Sequence, residues 1–201
     1  MDVLRRRVER ALAERPLLTD GHVALGDLAF GSLATLNGSE VCGRGDRVAG
    51  VATRYAGRAR AIALFAMEPE EALVLLRRHF AEAGGGAGAG PLGAYEALGR
   101  ESGTAVVAAL LGDGSGAGPD AGGGGRAATL RQEGDATLEE DSVIASLLAT
   151  HAPSDTALAM LRLELHGARA GEAPLRAHVY VLVEGKPFVQ ALGGLVRPSG
   201  R

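Results

Sequence analysis

The sequence predicts an α+β domain in which two hairpins pair into one antiparallel sheet flanked by helices, arranged as a pseudo-twofold internal repeat. Three observations carry this. Two stretches near the C-terminus alternate apolar and polar residues with a period of two, as half-buried strands do. Other stretches place apolar residues at helical spacing between recognisable start and stop signals. "ALGD" at Ala24 recurs as "ALGR" at Ala97, 73 positions further on, each followed by small and apolar residues.

The first element is "MDVLRRRVERALAERP", where Leu4, Val8 and Leu12 keep helical spacing among alternating charges. "ALGDLAFGSLATLNG", Ala24 to Gly38, has apolar spacing that predicts a second helix, although Gly26 and Gly31 each cost about 1 kcal/mol relative to alanine there. Tight helix packing or close approach of a partner's backbone accounts for such glycines. "VAGVATRYAGRARAIALFAM", Val48 to Met67, reads as two short strands around Ala56-Gly57. "EPEEALVLLRRHFAEAGGG" reads as a helix. Pro69 suits the first turn, Glu70 and Glu71 the positive end, Arg77 and Arg78 the negative end, and Gly84 the stop; Leu73, Leu76 and Phe80 keep the spacing.

The half-repeats run over about 20–83 and 93–196, joined by a glycine-rich linker at 84–92 within a single domain spanning 1–201. The second half opens with the helix "ALGRESGTAVVAALLG". A low-complexity loop follows at 112–125, and then "TLEEDSVIASLLATHAP" predicts an extra helix. Thr137 and Glu140 match a capping box there, and Val143, Ile144, Leu147 and Leu148 form an apolar stripe. "ALAMLRLELHG" and "LRAHVYVLVEG" are the period-two strands. "KPFVQALGGLV", opened by Pro187, predicts a final helix.

Composition narrows the function. A net charge of −3 argues against a nucleic-acid or anionic-membrane partner held by bulk charge. The single cysteine, Cys42, excludes an intramolecular disulfide and a cysteine metal cluster. The sequence has no apolar run of membrane-spanning length and no signal-peptide pattern, so a cytoplasmic location is expected. "GAGPLG" matches a dinucleotide fingerprint in spelling but follows a predicted helix, so it reads as linker. Arg44-Gly45-Asp46 is read as a chance match. His166 and His178, on the two strands of one predicted hairpin, lack a third ligand and read as surface residues.

The quoted segments, taken in order from about Asp20 to Leu192, resemble the CheC-type chemotaxis phosphatases, the CheC/CheX/FliY-like family. The resemblance implies a pseudo-symmetric α+β fold that binds a phosphorylated response-regulator receiver domain of the CheY type and hydrolyses its aspartyl phosphate. In that family a helix in each half carries Glu-x-x-Asn: the amide orients the attacking water and the acid holds the receiver's lysine. Here Ala24 and Asp27 occupy those places in the first half, Ala97 and Arg100 in the second.

Alanine cannot grip a lysine. Aspartate brings negative charge toward an acyl phosphate, and arginine is too long to orient water, though it suits a phosphate oxygen. The expectation is therefore weak or lost hydrolysis, with Asp27 as the catalytic candidate. Ala24, Asp27, Gly31, Ala97, Arg100 and Glu101 form the partner-binding set. No cofactor of the chain's own is implied; the receiver supplies Mg²⁺. CheD or flagellar switch proteins are further partners the resemblance implies, and a non-catalytic flagellar-switch module is the alternative reading.

Overall fold

Six strands form one antiparallel sheet in a computed structural model that describes residues 2–13, 22–32, 47–57, 60–82, 90–111, 131–143, 147, 150, 156–166 and 173–184. The elements run α1 (Asp2–Ala13), β1 (His22–Ser32), β2 (Arg47–Ala56), β3 (Ala61–Met67), α2 (Pro69–Glu82), α3 (Pro91–Leu111), β4 (Arg131–Val143), β5 (Thr156–His166) and β6 (Leu175–Glu184). The strand order is β1-β5-β6-β3-β2-β4. The expected hairpins β2–β3 and β5–β6 form its centre, joined by the β3–β6 pair, with Ala61 opposite Val183 and Phe65 opposite Val179.

α3 lies across this centre and is buried on most sides, including Tyr95, Leu98, Val106 and Leu110. It packs over β2, β3 and β6, with α1 beside it and α2 against its flank. On the sheet face toward α3, Val51, Tyr55, Ala61, Ala63, Phe65, Met67, Val179, Val181 and Val183 join one core cluster with Val8 and Leu12 of α1. The opposite face is buried too at its centre, at Val48, Leu64, Ala66, Tyr180 and Leu182. A sheet apolar on both faces explains why β3 reads as the continuous run "AIALFAM" rather than an alternation.

Of two expected helices, one is a strand over its described residues and the other begins as a strand. In the first, residues 24–32 belong to β1, which pairs with β5 from His22 opposite His166 to Ser32 opposite Ala157, and 33–38 lie outside the described residues. Between Leu25 and Leu28 the register shifts, so that Gly26 and Asp27 together face Arg162. This is a β-bulge, and a glycine within a strand commonly marks one. Thr137 and Glu140 are likewise not a helix cap: they lie in β4, the other edge strand. Its register against β2 also shifts, between Val48 and Gly50 and between Ala52 and Arg54. Gly134, at φ +71°, falls in the second irregularity, where a left-handed backbone favours glycine. Beyond β4, Leu147 and Thr150 are helical.

Three smaller differences follow. α3 starts at Pro91, inside the expected linker. His166 faces His22 and His178 faces Arg162, so the two histidines do not oppose each other. On α2, Leu73 points outward, and Ala72, Leu75 and Leu76 make the inward contacts. The expected loop at 112–125 and the final helix at "KPFVQALGGLV" lie outside the described residues.

The strand order is unchanged when β1, β2 and β3 are exchanged with β4, β5 and β6. That exchange sets β1 against β4 and, by chain order, α1 against α3. Ala24-Asp27 and Ala97-Arg100 are therefore not counterparts, because one lies on an edge strand and the other on the central helix.

Candidate partner-binding surface

The surface begins with the way α3 is seated. A β-carbon added to Gly99 falls 2.5 Å from Cβ of Val51, and one on Gly103 falls 2.9 Å from Cβ of Ala63. The glycines are four residues apart and so share one helix face. They allow α3 to sit lower on the sheet than a helix carrying alanine there. Tyr95, on the same side, donates a hydrogen bond of 2.7 Å from its hydroxyl to the carbonyl of Ala49 and meets Phe65 edge-to-face at 5.7 Å. Burial pushes the Tyr95 phenol well above its ordinary value, only partly offset by the backbone of Met67.

Farther along α3, the Thr104 hydroxyl donates to the carbonyl of Arg100 at 2.7 Å, leaving its oxygen to accept from the Tyr55 hydroxyl at 3.0 Å. This pins the turn that carries Arg100, which is exposed; Ala97 and Glu101 are half-buried. These three residues of the expected set therefore share one helix, with the arginine outward.

The other members stand elsewhere. Ala24, Asp27 and Gly31 are on β1, at the sheet edge, with Ala24 half-buried, Asp27 in the bulge and Gly31 opposite Leu158. β1 associates with α1, whereas α3 associates with β2, β3, β6 and β4. At the places the resemblance assigns, α3 has Ala97 and Arg100, neither an acid nor an amide, and Asp27 is on a strand.

α1 contributes an arginine that bonds to the sheet. Arg5 donates to the carbonyl of Leu25 at 2.6 Å and pairs with Glu9 at 3.0 Å, which ties α1 to β1 just before the bulge. Arg6, Arg7 and Arg10 are exposed, while Val8 and Leu12 are buried against the core. The amphipathic spacing of α1 identified this helix; the arginine's bond to a strand carbonyl had no sequence signal. Among the described residues no group of three or more His, Cys, Asp or Glu side chains could hold a metal ion, and no helix is long and apolar enough to cross a membrane.

A six-stranded antiparallel sheet with two adjacent helices, α1 and α3, gives this chain the CheC/CheX/FliY-type fold, bearing out at the level of fold the resemblance read from the sequence. In particular, the chain is similar to the FliM middle domain from Vibrio alginolyticus, with 12% identity and a TM-score of 0.53 over 97% of this chain and 98% of that one. It is similar to Thermotoga maritima FliY at 11% identity and a TM-score of 0.54, covering 95% and 88% of the two chains. A chain of the FliM–SpeE complex from H. pylori matches at 8% identity and a TM-score of 0.51, covering 96% and 90%. No protein-family profile matches the sequence, and no curated protein is significantly similar to it.

Proposed function

We propose that this chain is a protein-binding module with a chemotaxis or flagellar-switch role. Its α1/α3 surface engages a CheY-like receiver domain and leaves the receiver's aspartyl phosphate largely unhydrolysed. The observation that carries the reading is the substitution on α3. In the register that the resemblance implies, Ala97 and the exposed Arg100 stand where hydrolysis needs an acid to hold the receiver's lysine and an amide to orient water. This side of such catalysis rests on positioning. Without the pair, the surface retains binding and loses its means of aligning the nucleophile.

The charge of the surface supports an anionic partner. Arg6, Arg7 and Arg10 on α1 and Arg100 on α3 are exposed, so these helices offer guanidinium groups to an anionic partner although the chain's net charge is −3. An arginine fits a phosphate oxygen in a planar, two-point contact. The receiver brings its own Mg²⁺, and no group of this chain is assigned to hold one.

The test is to load a CheY-like receiver with phosphate and measure both binding and acyl-phosphate lifetime. Binding with an unchanged or lengthened lifetime supports the proposal, and Arg6→Glu with Arg10→Glu should then weaken binding at least about tenfold. A shortened lifetime abolished by Asp27→Ala would instead establish a phosphatase working from the β1 bulge. Likeness to the FliM middle domain favours a second reading, an assembly module of the flagellar switch. Stable association with flagellar switch proteins irrespective of receiver phosphorylation identifies that case.

A further inference from the structure

We propose that the outer face of α2 is a self-association surface, on which two copies of this chain meet through antiparallel α2 helices about a two-fold axis. The face consists of Glu70, Leu73, Val74 and Arg77, all exposed, with Leu73 at 53% and Val74 at 37% relative accessibility. At 100° per residue these four fall within an arc of about 100° on one side of the helix. Two exposed branched aliphatics side by side, bracketed by one acid and one base, are not what a solvated helix face needs.

The arrangement is self-complementary. A two-fold axis passing between Leu73 and Val74 brings the Leu73–Val74 pair of one copy onto the same pair of its partner, Leu73 beside the partner's Leu73 and Val74 beside the partner's Val74. The same operation brings Glu70 onto the partner's Arg77, and the pair forms twice. Isologous contacts require this kind of self-complementary patch, in which a residue that meets a second residue of the partner is matched by the reverse contact across the axis. A parallel or shifted arrangement places like charges together or leaves the aliphatics in water.

α2 is also held rigidly enough to present that face. Its inner side packs through Ala72, Leu75 and Leu76. Glu71 accepts the backbone N–H of Arg176 at 2.8 Å, and Arg78 donates to the carbonyl of Ala173 at 3.2 Å. Little ordering is left to be done on association. Two aliphatic side chains per copy make a small contact, so the dimer is a weak, concentration-dependent one.

Sedimentation equilibrium of the full chain, taken up to roughly 1 mM, tests this. The wild type should pass from monomer to dimer and stop there. Leu73→Glu should abolish the dimer, and Glu70→Arg alone should weaken it about tenfold by opposing like charges twice. The double variant Glu70→Arg/Arg77→Glu should restore association to within about threefold of wild type. Circular dichroism checks that each variant keeps its fold. A wild type that stays monomeric throughout, an open-ended polymer, or a double variant no better than Glu70→Arg would overturn the proposal. None of these results depends on whether the α1/α3 surface binds a receiver.

Discussion

Gly99 rests directly on Val51: the β-carbon it lacks would lie 2.5 Å from Cβ of that valine. The contact sets how deeply α3 enters the sheet, and with it the position of every group on the outer side of the helix. Gly99→Ala gains about 1 kcal/mol of helix propensity, yet overpacking a close contact costs about 1–3 kcal/mol. The steric term should win, because the obstacle is the base of a valine side chain and its backbone is fixed between two strands. Urea unfolding should show a net loss of about 1–2 kcal/mol. Val51→Ala in the same chain removes the Cγ2 and Cγ1 contacts at 2.8 and 3.0 Å but keeps the Cβ contact, so it should recover only a minor part of it, a coupling that additive effects cannot produce.

Tyr95 makes the next prediction. Its hydroxyl supplies the hydrogen bond to the Ala49 carbonyl, so Tyr95→Phe leaves that acceptor without its side-chain donor and should cost about 1–2 kcal/mol. The same residue gives a pH dependence. Burial raises its folded-state value above the ordinary 10.0, so the native chain keeps the phenol proton after the unfolded chain has begun to lose it. The unfolded state then binds fewer protons, and stability falls as pH rises above about 10, at up to ~1.4 kcal/mol per pH unit. Below that pH the contribution is fully present. Unfolding measured from pH 9 to 11 should show the decline in wild type and a shallower one in Tyr95→Phe.

Ser102 should behave in the opposite sense. It is fully buried on α3, and its hydroxyl makes no hydrogen bond among the described residues. Removing a buried unpaired polar group recovers its desolvation cost, and alanine is also the better helix former. Ser102→Ala should therefore stabilise the fold by about 1 kcal/mol. A loss of similar size in thermal or urea unfolding would show that the hydroxyl has a partner in solution.

How much of this was legible varies by element. The two central hairpins, α1, α2 and the body of α3 follow from local pattern, because each has one buried side and clear end signals. α3 also carried its packing device openly, as glycines four residues apart flanking Ser102. β1 and β4 did not read as strands, for different reasons. In β4, "TLEEDSV" imitates a helix cap and first turn, and only its pairing with β2 makes it a strand; charged residues suit a solvated sheet edge. In β1, alanine and leucine favour a helix locally, and the bulge hides the alternation. With it, Val23, Leu25, Leu28 and Phe30 all stand opposite odd-numbered residues of β5. Without knowledge of the bulge, the step from Leu25 to Leu28 looks like the three-residue spacing of a helix. The motif places share that misreading: the spacing sets Asp27 beside Arg100 as a helix counterpart, and Asp27 lies instead on an edge strand.

The bulge yields the last prediction. Gly26 and Asp27 together oppose Arg162, so β1 contains one residue more than its partner across this stretch. Deleting Asp27 leaves Gly26 alone opposite Arg162 and keeps Leu28 opposite Leu161 and Phe30 opposite Ala159. The apolar positions stay on the face they already occupy, and the deletion should cost less than about 1 kcal/mol. Deleting Ala29 is different. It brings Phe30 opposite Met160 and transfers it to the other face of the sheet, along with a reversal of every residue beyond it. Reversing the faces of Phe30, Gly31 and Ser32 breaks the alternation that the bulge preserves, so that deletion should be the more damaging by at least ~1 kcal/mol. Unfolding curves of the two variants decide the matter. Equal losses would mean that the bulge itself, rather than the face its apolar residues occupy, holds β1 in register.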